Sequence, residues 1–154
     1  MKKNLGVILL GAAGLLAILV LVFMLCPGYV IKLSSNTRSV LSVYECMTHD
    51  GGDGSEFGLV LAMIFTIISV VVGFGLAALA LLGKELSFAK WLQLGAAVLS
   101  LVCVILFFLT ATMIKNYIGW NTGSIGFGAI MCAILSLFNV CLFAFEPVKG
   151  LLKK

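Results

Sequence analysis

Residues 57–82 read FGLVLAMIFTIISVVVGFGLAALALL. The stretch contains no Asp, Glu, Lys, Arg or His, and as a helix rising about 1.5 Å per residue it is long enough to cross the roughly 30 Å hydrocarbon core of a bilayer. Three more runs of the same character, Leu5–Leu25, Trp91–Ile114 and Ile125–Phe145, lie on either side of it. The predicted fold is an all-α, four-helix transmembrane bundle with up-down-up-down topology, and residues 1–154 form a single integral membrane domain.

The composition agrees. The chain is 62% apolar and 10% charged, with a mean hydropathy of +1.24, against about 45–50% apolar and about 25% charged in soluble domains. The formal charge of +4 comes from basic residues scattered singly and in pairs beside span ends, so no basic stripe suits a nucleic acid. With an inner N-terminus, Lys2, Lys3, Lys84, Lys90, Lys149, Lys153 and Lys154 fall inside, against Lys32, Arg38 and Lys115 outside. Short loops rich in Lys and Arg stay on the cytoplasmic side, so the expected location is the cell membrane, multi-pass, with both termini cytoplasmic. The first run is too long for the h-region of a secretory signal and ends in bulky Leu25, so it reads as a retained span.

Residues 26–56 form the first outer loop. Cys26-Pro27-Gly28 stops the first helix, since proline lacks a donor and glycine readily leaves helical geometry. Tyr29–Leu33 and Val40–Cys46 are rich in β-branched and aromatic residues and flank the polar segment 34–39, which predicts a small hairpin capping the bundle. A short amphipathic helix lying on the membrane surface is the competing form. Asp53 or Ser55 is the expected N-cap of the second span. His49, Asp50, Asp53 and Glu56 do not match an EF-hand loop and read as a solvated turn. Among Gly119, Gly123, Gly126 and Gly128 the second outer loop should be a brief turn, and the fourth span should end at Glu146-Pro147.

Small residues recur at steps of three or four, as close helix packing in lipid requires. Ala13 and Ala17 mark such a face on the first span, and Ala62, Thr66, Ser69, Gly73 and Ala77 on the second. Ser69, Gly73 and Ala77, with Ala129, Ser136 and Asn139 on the fourth, are the expected packing seam. Gln93, Ser100, Ser136 and Asn139 are also the candidate lining of a solute path, because a carboxamide facing lipid would leave its hydrogen-bonding groups unmet. Interhelical hydrogen bonding is the plainer role for these groups. Cys26 and Cys46 share the outer face and form a candidate disulfide, while Cys103, Cys132 and Cys141 read as small packing residues.

The layout, with inner termini and a larger first outer loop, resembles that of tetraspan membrane proteins such as claudins. The Trp-and-paired-Cys signature of the claudin loop and the Cys-Cys-Gly of tetraspanins are not in this sequence, so no family is assigned and no residue roles are carried over. No ionisable residue sits within a span to couple protons or ions, no Cys-x-x-Cys serves thiol exchange, and no cofactor or metal set is evident. The expected function is therefore noncatalytic: an interaction or accessory subunit whose helix seams and first outer loop engage a membrane protein partner or a second copy. A small oligomeric channel or transporter component, its path lined by Asn139 and Gln93, is the alternative. A membrane enzyme acting on lipid or thiols comes third.

Overall fold

A computed structural model describes residues 2–32, 38–48, 55–84, 87–118 and 123–151. In chain order these form α1 (Lys2–Phe23), β1 (Pro27–Lys32), β2 (Arg38–Ser42), α2 (Val43–Thr48), α3 (Ser55–Leu81), α4 (Ala89–Ile118), β3 (Gly123–Ile125) and α5 (Phe127–Leu151). The four long helices are each long and apolar enough to cross a membrane, and only 28% to 39% of each span is buried within the protein. The remaining surface is Leu, Ile, Val and Phe, which a bilayer solvates and water does not. This supports a multi-pass membrane protein.

The buried positions explain how the helices meet. They include Leu10, Ala13, Ala17 and Val20 on α1; Leu59, Ala62, Thr66, Ser69, Gly73 and Leu76 on α3; Gln93, Ala96, Ser100, Cys103, Phe107, Thr110 and Ile114 on α4; and Ala129, Cys132, Ser136, Asn139 and Phe143 on α5. Steps of three and four alternate along all four helices, giving a period of about 3.5 and hence a left-handed bundle seam. The helices close a ring in the order α1, α3, α4, α5. One core cluster joins Leu10 and Ala13 to Leu76, Ala77, Ala96, Ala97 and Phe143. A second joins Val20 to Leu59, Ala62, Cys103, Phe107, Ala129 and Cys132. Residue numbers therefore rise along α1 and α4 in the direction in which they fall along α3 and α5, so direction alternates around the ring.

The α1 and α3 backbones approach closely at Gly14 and Gly73. A Cβ placed on Gly73 would lie 2.8 Å from the backbone nitrogen of Gly14 and 2.9 Å from its Cα. Backbone cannot rotate aside as a side chain can, so this spacing requires glycine.

One end of the bundle carries the cap, a three-stranded sheet in the order β2-β1-β3. β1 and β2 form the expected hairpin, with register Tyr29↔Leu41 to Lys32↔Arg38 and a bulge at Gly28. Two features depart from the sequence expectation. The second flank does not stay extended to Cys46: it turns helical at Val43, because Ser42 and Glu45 form a reciprocal capping box. The Glu45 backbone N–H donates to Ser42 Oγ at 3.0 Å, and the Ser42 N–H donates to Glu45 Oε2 at 2.7 Å, which starts a helix. Val43, Cys46 and Met47 turn inward while Tyr44 and Glu45 face out, so α2 is a short amphipathic helix that follows the hairpin and rests on α3. The second outer loop is also more than a turn. Its β3 pairs antiparallel with β1, Tyr29↔Ile125 to Ile31↔Gly123, and Gly126 and Gly128 let the backbone pass the carbonyls of Pro27 and Cys26 where a Cβ would collide.

At the opposite end α3 closes in a Schellman turn. Gly83 adopts φ +73°, the Lys84 N–H donates to the Leu79 carbonyl at 3.0 Å, and the Gly83 N–H to that of Ala80 at 3.2 Å, satisfying carbonyls the helix end would orphan. α5 runs past Pro147 to Leu151 instead of stopping there, since proline removes one hydrogen bond while its fixed φ stays close to the helical value. α3 begins at Ser55, which is already helical, and the Asp53 and Ser55 side chains expected to cap it lie outside the described residues. Residues His49, Asp50 and Asp53 lie outside the described residues, as does the Glu56 side chain.

Gly73→Ala is expected to cost about 1–3 kcal/mol of stability by forcing α1 from α3. Gly75→Ala, whose Cβ would meet nothing within 4 Å, should be neutral or slightly stabilising. Thermal unfolding in detergent reads both, and equal Tm values would contradict a backbone contact at Gly14.

Candidate functional site

Between the two apolar clusters the core is polar. Thr66 Oγ1 donates to the Ala62 carbonyl at 2.7 Å, Ser69 Oγ to that of Phe65 at 2.9 Å, and Thr110 Oγ1 to that of Leu106 at 3.3 Å. These bonds turn each hydroxyl back onto its own helix. Others cross between helices: Ser69 Oγ and Ser100 Oγ lie 3.4 Å apart, Cys103 Sγ donates to the Ala62 carbonyl at 3.5 Å, and Cys132 Sγ to the Val20 carbonyl at 3.4 Å. Ser136 is buried on the same inward stripe of α5.

The two carboxamides differ from the hydroxyls. Gln93 Oε1 and Asn139 Oδ1 are buried without a hydrogen-bond partner, and their residues are only 8% and 2% exposed. An unmet buried acceptor costs about 1–3 kcal/mol, so each of these positions requires an explanation.

Gln93 borders a cavity, although its Oε1 is covered by protein. A space of about 300 Å³ opens at the end of the bundle opposite the cap, lined by Leu10 of α1, Leu76, Leu79 and Ala80 of α3, Lys84 and Ser87 of the α3–α4 connection, Ala89, Lys90 and Gln93 of α4, and Glu146 of α5. Local structure places these groups. The Schellman turn sets Lys84 directly after Gly83, the first turn of α4 puts Lys90 three residues before Gln93 on one helix face, and Glu146 follows the buried Phe143 by the same step. The Glu146 carboxyl lies beside α1 at Gly6, where a Cβ would be 3.7 Å from it.

Of the four proposed path residues, only Gln93 reaches this cavity; Ser100, Ser136 and Asn139 do not line it. The apolar cluster around Phe143, Ala96 and Ala77 lies at the cavity's inner end. At the cap end Tyr29, Ile31, Val43 and Met47 pack onto Phe107 and Leu59, so apolar side chains fill the other mouth. The seam residues Ser69, Gly73, Ala77, Ala129, Ser136 and Asn139 are all buried in the bundle core. They are therefore occupied within this chain.

Cys26 and Cys46 are both free thiols. Cys46 is buried under α2, and desolvation, reinforced by the nearby Glu45 charge, pushes its pKa up to about 12. Burial likewise raises the Tyr29 phenol, whose ring lies against Gly123 where a side chain would collide. Cys103 and Cys132 are buried and Cys141 is exposed on the outer face of α5.

Sequence reasoning missed the charged rim. Lys84, Lys90 and Glu146 come from three separated segments, and the only local sign of their convergence was that each flanks a span end. Chemically the cavity is bordered by two lysines and one glutamate over apolar walls. No protein-family model, curated protein or solved structure matches the chain.

Nucleophilic attack requires the thiolate, so a water-soluble maleimide at pH 8 is expected to label Cys26 at least about tenfold faster than Cys46 in the folded protein. The Cys46 rate should continue to climb above pH 10 as its thiolate fraction grows. Equal rates at pH 8, read by peptide mass spectrometry, would mean that α2 does not cover the Cys46 thiol.

Proposed function

We propose that the chain is a noncatalytic multi-pass protein of the cell membrane, with both termini cytoplasmic, acting as an interaction or accessory subunit that presents its cap to a membrane protein partner or a second copy. The observation that carries this reading is the outer edge of the cap. β2 is an edge strand of the sheet, and such an edge presents unpaired backbone groups to an added strand. Val40 on β2 is 48% exposed and Tyr44, just beyond it, 51% exposed, with Leu25 at 71% nearby in the chain end of α1. Apolar side chains beside an open edge suit a protein partner better than water. The basic residues Lys84, Lys90 and Lys149 at the opposite end support a cytoplasmic position for the termini.

A photo-crosslinking side chain at Val40, activated in native membranes, is expected to give a discrete adduct heavier than the lone chain. The same group at Ile8, on the lipid-facing side of α1, should give none. Recovery of only the single chain from the Val40 variant would overturn the reading.

The unpartnered Asn139 and Gln93 oxygens favour a second reading, a channel or transporter component. Opposing it, Ser100, Ser136 and Asn139 do not line the cavity and apolar side chains of the cap fill the far mouth, so conduction would require rearrangement of the core. If Asn139 serves only as an uncompensated core amide, Asn139→Leu should raise Tm, because it removes a buried acceptor that has no partner. If Asn139 lines a path, the same change should abolish solute flux into reconstituted liposomes. Flux indistinguishable from empty vesicles in the wild type would eliminate this second reading.

A further inference from the structure

We draw no further inference here: the strongest candidate, the cavity at the bundle end opposite the cap, brings exposed Lys84 and Lys90 beside half-buried Glu146 over apolar walls, and nothing in the structure shows what occupies it.

Discussion

Hydrocarbon offers no hydrogen bonds, so a chain whose helices are surrounded by it must settle every polar group internally and hold its helices together without a hydrophobic drive between them. The 3.5-residue spacing of small side chains answers the second demand. Ala13, Ala17, Ala62, Gly73, Ala96 and Ala129 allow the backbones to approach, and Gly14 meets Gly73 where no Cβ would fit. Back-bonding to the preceding turn answers the first for Thr66, Ser69 and Thr110. Each hydroxyl can therefore occupy a core position without a partner on another helix, although Ser69 and Ser100 also meet across the seam.

Two amides are the exceptions. A hydroxyl can fold back on the i−4 carbonyl as a donor, whereas an amide oxygen is an acceptor and the helical N–H groups near it are already committed. Gln93 and Asn139 are thus the two spanning residues that the bundle cannot satisfy from its own backbone. Gln93 borders the charged cavity and Asn139 sits in the interior between apolar clusters, so the same chemistry has two different surroundings. The cap brings a separate asymmetry. It closes one mouth with Tyr29, Ile31, Val43 and Met47, leaving the charged opening at the end where α1 begins and α5 finishes.

Long-period features were legible in the sequence because they repeat. Each span announces itself over five or more turns, and the stripe Ala62, Thr66, Ser69, Gly73, Ala77 can be seen without coordinates. Short features were harder. Six residues of α2 cannot establish a helical period, yet Ser42-Val43-Tyr44-Glu45 holds a capping box that would have located its start. β3 is three residues long, and its strand character exists only through pairing with β1, far away in sequence; the clustered glycines Gly123, Gly126 and Gly128 were its trace, a sign of close backbone approach instead of a loose turn. The rim of Lys84, Lys90 and Glu146 was invisible for a further reason. Its members are ordinary span-end charges until the ring order α1, α3, α4, α5 brings three helix ends around one space.

The central position of β1 has a mechanical consequence. Because β1 is laced to β2 from one loop and to β3 from the other, it stitches the α1–α3 half of the bundle to the α4–α5 half by main-chain ladders. Prying the halves apart there means unzipping backbone bonds. At the far end, among the described residues, no strand joins α1 to α5, and Glu146 simply lies beside Gly6, so main-chain ladders tie the two halves together at the cap end alone.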